Sequence, residues 1–242
     1  MRWLTALPVF NEQNEVGKVL AEVSRYSADI LVVDDGSTDD TPAVLRSIPR
    51  IRVIRHEQNR GYGAALHTAF RYAIEQRFDG LVTVDCDGQH EPCRIPEFIA
   101  ACRRSGADIV SGSRYLEVFP HDSAPPAERR RINQIITDEL NARLGLHLTD
   151  AFCGFKAYRV SALRKLRLSE PGYAMPLEVW VQAAHLRLKV IELPVPLIYL
   201  DERRSFGGAL DDAAQRLAHY RHVLQEALAA VERAEPCKDA AP

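Results

Sequence analysis

The sequence predicts an α/β fold, a mostly parallel sheet flanked by helices, from three observations. Short apolar runs rich in β-branched residues alternate with segments whose apolar residues recur at helical spacing. Acidic, glycine-bearing clusters stop two of those runs abruptly, Asp34-Asp35-Gly36-Ser37 and Asp85-Cys86-Asp87-Gly88. At 242 residues, 46% hydrophobic and 26% charged, the chain is long enough to bury one large core. A β-α-β-α order calls for parallel strands joined by crossover helices, with ligands bound beyond the carboxyl ends of the strands.

Trp3 to Val9 is a short apolar strand closed by Asn11, and Val16, Val19, Leu20 and Val23 then recur at helical spacing. Ile30 to Val33 is a second strand. Thr41-Pro42 opens a short helix, because proline's fixed φ and missing N–H suit a first helical turn. Ile51 to Ile54 is a third strand, and Gly61 to Gln76 follows as a helix with Ala65, Ala69, Phe70 and Ala73 inward. Leu81 to Val84 is a fourth strand ending at Asp85, Glu91-Pro92 begins another helix, and Asp108 to Val110 is a fifth strand. Pro120 to Pro126 then reads as a polar loop. Arg129 to Leu144 reads as a helix with Ile132, Ile135, Ile136 and Leu140 on one stripe, and Cys153 to Tyr158 as a strand. Pro176 to Leu188 is helical and Val190 to Leu200 extended; Leu210, Ala214, Leu217, Leu224, Leu228 and Val231 mark a terminal helix. The expectation is a single domain over 1–234, divided into 1–114, 115–210 and a terminal helix at 209–234, with a frayed tail at 235–242.

A net charge of −2 argues against a nucleic-acid partner. No apolar run approaches the roughly 20 residues that span a bilayer, and the first residues do not read as a signal peptide. Five cysteines without CxxC spacing argue against a disulfide framework and a zinc ribbon. The expected location is the cytoplasm, with peripheral contact at the inner face of the membrane left open.

Three clusters fall where the sheet places ligands. Asp34 to Thr41 offers carboxylates, a glycine and hydroxyls to a base or ribose; a turn with Asp39 or Asp40 as helix cap explains the same residues. In Val84-Asp85-Cys86-Asp87-Gly88-Gln89-His90, residues two apart point the same way in an extended chain. Asp85 and Asp87 can thus converge on Mg²⁺ or Mn²⁺, hard ions that share phosphate oxygens. Asn59-Arg60-Gly61-Tyr62-Gly63-Ala64-Ala65-Leu66 opens a helix whose free N–H groups favour anions, or else its glycines serve close packing. It is neither a dinucleotide fingerprint nor a Walker A loop.

Together with Pro8-Val9-Phe10-Asn11-Glu12, these clusters resemble family-two glycosyltransferases with the A-type fold. The resemblance is greatest to the polyprenyl-phosphate branch, that of dolichyl-phosphate mannose synthase, and covers about residues 3 to 208. Ser113-Arg114, Asp150 to Phe155 (with Cys153 for the usual serine) and Glu178 also fit. The resemblance implies that Pro8, Phe10, Glu12, Val33 and Asp35 hold the base and ribose, making 1–114 a nucleotide-sugar half. It puts Asp85 and Asp87 at the diphosphate, Asp87 as the more direct metal ligand, and Gln89 and Arg114 at the sugar and phosphates. Arg203 or Arg204 matches the arginine before a family Gly-x-Ser-Lys segment, whose serine and lysine are missing here.

The implied reaction is metal-assisted transfer, with inversion, from a nucleoside-diphosphate sugar to an acceptor, first of all a polyprenyl phosphate. An ionised lipid phosphate needs no base, whereas a hydroxyl acceptor does. Asp150 is the candidate base and Glu178 the second, against a cap for Asp150 and a salt bridge from Glu178 to Arg203 or Arg204. Arg129-Arg130-Arg131 before an amphipathic helix suits an anionic membrane surface, unless that helix packs its apolar face on the domain. Two other readings stay open. Asp85-Cys86-Asp87-Gly88 copies the start of a haloacid-dehalogenase-like phosphatase motif, although Gln89 and the mid-chain position count against it. A non-catalytic nucleotide-sugar-binding protein is the other.

Overall fold

In the computed structural model, which describes residues 1–199 and 207–234, seven strands form one sheet. In chain order they are β1 (Trp3–Val9), β2 (Asp29–Asp34), β3 (Arg52–Arg55), β4 (Gly80–Thr83), β5 (Ile109–Ser113), β6 (Lys156–Arg159) and β7 (Val190–Pro194). Their order across the sheet is β3-β2-β1-β4-β6-β5-β7. β6 runs antiparallel to both its neighbours, and the other pairings are parallel. The helices are α1 (Val16–Val23), α2 (Thr41–Ser47), α3 (Tyr62–Glu75), α4 (Ile95–Ser105), α5 (Ala127–Leu144), α6 (Val160–Leu163), α7 (Met175–His185) and α8 (Ala213–Ala234).

Period-two alternation divides the core between the two faces of the sheet. Leu4 and Ala6 of β1 and Leu31 and Val33 of β2 join the cluster that α3, α5, α7 and α8 cover. Leu7, Val9, Ile30 and Val32 join the one that α1 and α4 cover. β3 is one of the two edge strands, with β7 at the other end, and its exposed Arg52, Val53 and Arg55 leave a charged border that discourages further pairing.

Ile132, Ile136 and Leu140 of α5 are buried in the core, and Ile135 is half-buried. The apolar stripe of that helix therefore packs on the domain rather than facing outward. Tyr220, Val223, Leu224 and Ala227 anchor α8 in the same cluster. A short 3₁₀ turn at Gly208–Asp211 precedes α8, so regular helix begins later than the apolar spacing predicts. Among the described residues no helix is long and apolar enough to cross a membrane.

Candidate active site

A cavity of about 680 Å³ opens beyond the carboxyl ends of β1, β2 and β4. Of the residues expected from sequence, Pro8, Phe10, Glu12, Asp35, Asp85, Asp87, Gln89 and Arg114 line it together. Val33 sits beside Pro8 in the sheet with its side chain fully buried in the core. Asp150 and Glu178 are buried outside the lining. Arg203 and Arg204 lie outside the described residues.

The acidic cluster after β2 divides its work. Asp34 Oδ1 accepts from the Ser37 N–H at 2.9 Å, and Asp39 accepts from the N–H groups of Thr41 and Gln13, so these two shape the turn and helix start. Asn11, in the left-handed region at φ 56°, accepts from the Thr38 N–H and ties this loop to the end of β1. Asp35 lines the cavity and holds its far wall. Its Oδ1 lies 2.6 Å from His56 Nδ1 and accepts from the Arg60 N–H at 3.0 Å, while Oδ2 accepts from the Gly61 N–H at 2.8 Å. Sequence reasoning missed His56, because nothing in the chain pairs positions 35 and 56 until β2 and β3 lie side by side.

The glycine pair serves close packing. Gly61 has φ +104°, and a Cβ there would stand 2.4 Å from the Pro171 carbonyl oxygen; a Cβ on Gly63 would stand 2.4 Å from that of Glu170. Pro171 O also accepts the Ala64 N–H at 3.0 Å. Asp35 and Pro171 thus occupy N–H groups that the start of α3 would otherwise offer to an anion.

Asp85 and Asp87 follow β4 in a loop that bends at Cys86 to Gly88 rather than continuing extended, with Gly88 at φ +73°. Tyr62, on the first turn of α3, donates its hydroxyl to Asp85 Oδ1 at 3.0 Å. The Asp85 N–H donates to His90 Nδ1 at 3.1 Å, and His90 Nε2 stands 3.8 Å from Asp85 Oδ2. Asp87 Oδ1 accepts from the Gln89 N–H at 3.1 Å. Gly154, in the approach to β6, lies so close to Asp85 that a Cβ would stand 2.1 Å from Oδ2. Among the described residues no group of three or more His, Cys, Asp or Glu side chains converges as a metal cage. Two hard carboxylates bordering an open cavity still fit a divalent ion that takes its other ligands from a diphosphate and water. The roles of Tyr62 and Gly154 lay inside motifs already singled out; what hid them was the contact each makes with Asp85.

Arg114, at the end of β5, reaches the cavity with its back held by Asp150. Its Nε and Nη2 donate to the two oxygens of that carboxylate at 2.6 and 2.9 Å. Asn133 and the Phe152 N–H donate to Asp150 Oδ1 as well, at 2.8 and 3.1 Å. Burial alone would raise the Asp150 carboxyl, but the Arg114 guanidinium and these donors hold it well below the usual carboxylate range. A carboxylate so engaged has little affinity for a substrate proton. Glu178 is spent similarly, accepting from the Ser169 N–H at 2.7 Å, the Ser169 hydroxyl at 2.9 Å and the Glu170 N–H at 3.0 Å.

The other end of the cavity is aromatic and cationic, with Tyr115, Phe152, Tyr173, Tyr199 and Tyr220 beside Arg129 and Arg216. Arg130 places its guanidinium 3.6 Å above the Tyr115 ring, and Arg129 lies 5.9 Å from the Tyr199 ring. Arg131 is exposed. The arginine triplet is therefore split between cavity and surface. Arg216, which is buried, donates to Leu210 O at 2.6 Å and to Glu128 Oε1 at 2.8 Å. Its place at the cavity had no signal in the sequence.

The family model described as Glycosyl transferase family 2 matches residues 5–167. An undecaprenyl-phosphate mannosyltransferase from Micrococcus luteus is 31% identical over 231 residues, covering 91% of this chain and 94% of the relative. A polyprenol monophosphomannose synthase from Mycolicibacterium smegmatis is 30% identical over 206 residues, covering 80% and 76%. Among solved structures, glucosyl-3-phosphoglycerate synthase from Mycobacterium tuberculosis in complex with UDP superposes with a TM-score of 0.70 at 19% identity, covering 95% of this chain and 79% of that one. The same enzyme has been crystallised with Mn²⁺, UDP-glucose and phosphoglyceric acid.

Proposed function

The chain belongs to glycosyl transferase family 2, is a glycosyltransferase of the A-type fold, and from that premise we propose that it moves a sugar, with inversion, from a nucleoside-diphosphate sugar to a polyprenyl phosphate. The phosphatase and pure binding-protein readings fall with the family assignment. The observation that carries the choice of acceptor is the engagement of both candidate bases. Asp150 is locked to Arg114, and Glu178 holds the 169–170 turn. An acceptor that is already ionised at neutral pH requires neither of them. The names of the M. luteus and M. smegmatis relatives support the same acceptor class.

Pro8, Phe10, Glu12 and Asp35 border the base and ribose end, and Gln89 faces the sugar. Asp85 and Asp87 would hold Mg²⁺ or Mn²⁺, which would supply positive charge to the leaving diphosphate. Arg114 adds a fixed cation on the same side, preorganised by Asp150 and so needing no rearrangement as charge develops. A phosphate oxygen of the acceptor attacks the anomeric carbon as its bond to the diphosphate oxygen breaks, and the electron pair leaves with the nucleoside diphosphate. Arg129 and Arg130, at the aromatic end, stand where an anionic acceptor head would enter, and contact of that end with a membrane surface would bring a lipid acceptor to them.

The test is incubation of the purified chain with labelled UDP- and GDP-hexoses, Mn²⁺ or Mg²⁺, and either a short polyprenyl phosphate or soluble hydroxyl acceptors. Metal-dependent label in the organic phase is expected. Transfer to the soluble acceptors alone would overturn the assignment.

A further inference from the structure

We propose that His56 and Thr68 are positioning residues for the donor, a relay that fixes the Asp35 carboxylate at the base end of the cavity. The proposal rests on the reading that a nucleotide binds there.

The three side chains are buried in a row. Asp35 is 3% exposed, Thr68 5% and His56 7%. His56 Nδ1 stands 2.6 Å from Asp35 Oδ1, and His56 Nε2 stands 2.9 Å from Thr68 Oγ1. Thr68, in the second turn of α3, also lies 3.1 Å from the Ala64 carbonyl oxygen.

A hydroxyl has one proton and two acceptor sites, so Thr68 can serve the ring in two ways. It donates to Nε2 of a neutral ring, or it donates to Ala64 O and accepts an Nε2–H. In either arrangement Nδ1 carries a proton and donates it to Asp35. The opposite tautomer would set a bare ring lone pair against a carboxylate oxygen at 2.6 Å. The Asp35 carboxylate thereby makes the Nδ1–H form the one the site accepts, and Thr68 fixes the far edge of the ring in either arrangement. The His56 main chain is fixed too, because its N–H donates to Asp34 O at 2.9 Å.

The consequence falls on Asp35. Its Oδ1 is filled by His56 and the Arg60 N–H, and its Oδ2 takes the Gly61 N–H. A carboxylate oxygen accepts twice, so Oδ2 keeps one position for a donor from the cavity. Without His56 the carboxylate is held only by the Arg60 and Gly61 N–H groups, and Oδ1 gains an open position that competes for the ligand in a different geometry.

The experiment measures UDP and GDP binding by calorimetry with Mn²⁺, and donor KM and kcat, for the wild-type chain and for His56→Leu, His56→Asn and Thr68→Val. His56→Leu should weaken nucleotide binding about tenfold, the scale of one charge-assisted hydrogen bond, and raise donor KM to match with kcat nearly unchanged. His56→Asn, whose amide N–H lies near the position of Nδ1–H, should restore most of the affinity. Thr68→Val should lose about threefold. A generalised packing defect would not be rescued by asparagine and would lower kcat as well. Wild-type affinity in His56→Leu, or asparagine no better than leucine, overturns the relay alone. If the leucine variant does not fold, wild-type donor KM in both other variants overturns it. A wild-type chain that binds neither nucleotide overturns the donor reading and the relay together.

Discussion

Gly154→Ala is the smallest change that should disable the site. The added methyl would stand 2.1 Å from Asp85 Oδ2 and 2.6 Å from Cγ and Oδ1. A carbon and an oxygen in ordinary contact sit roughly 3.3 Å apart, so the carboxylate must retreat by about 1 Å. Gly154 is not in the left-handed backbone region, and alanine suffers no φ penalty there; the whole effect lies in the contact. Retreat breaks the 3.0 Å bond from the Tyr62 hydroxyl and moves one of two candidate metal ligands. A misplacement of about 1 Å in a reacting geometry costs about a hundredfold in rate, and overpacking adds about 1–3 kcal/mol of lost stability. The assay is sugar transfer at saturating donor, with Mn²⁺ titrated. The expected result is a large fall in kcat and a higher Mn²⁺ requirement in a chain with native circular dichroism. Transfer within twofold of wild type at the same Mn²⁺ concentration would refute the contact argument.

Asp87→Ala should abolish the Mn²⁺-dependent part of thermal stabilisation by a nucleoside diphosphate while leaving the unliganded melting temperature nearly unchanged. Arg114→Ala strands a fully buried carboxylate and should destabilise the fold by about 3 kcal/mol, read from urea unfolding; Asp150→Asn in the same background should recover much of it. The depressed Asp150 carboxyl contributes stability above the ordinary carboxylate pKa near 3.9 and loses it as pH falls toward its lower folded value. Unfolding of the Asp150→Asn variant should therefore depend less steeply on pH below about pH 4. Sedimentation with anionic vesicles should fall when Arg129, Arg130 and Arg131 become serine, and equal binding by both chains would remove peripheral contact from the proposal.

The parts of the fold legible in the sequence are those written as local periodicity. Leu4 to Val9 and Ile30 to Val33 alternate between two cores as their spacing predicts. β6 was legible as a strand but not as an insertion. Lys156 to Arg159 is short, and nothing local says that it pairs antiparallel between β4 and β5. At the site, Asp85 and Asp87 could be found because a strand end places them, and Arg114 through the family motif that it resembles. The fates of Asp150 and Glu178 could not, because whether a carboxylate stays free depends on donors such as Asn133 and Ser169 that only the folded chain supplies. The arginine triplet shows the same limit: Arg130 and Arg131 are adjacent in the chain, yet one lies over Tyr115 and the other is exposed.

The position of β6 bears on how such an enzyme can be cut and recombined. A fragment ending at Arg114 would leave β4 and β5 facing an empty slot, with two unpaired edges side by side in the middle of the sheet. It would also lack Gly154, against which Asp85 rests, and Pro171, which holds the start of α3. An exchange of the first 114 residues between relatives therefore rests on how well the recipient's own β6 segment fits the new β4 and β5. A split version of the chain should regain activity only when the second fragment supplies that strand.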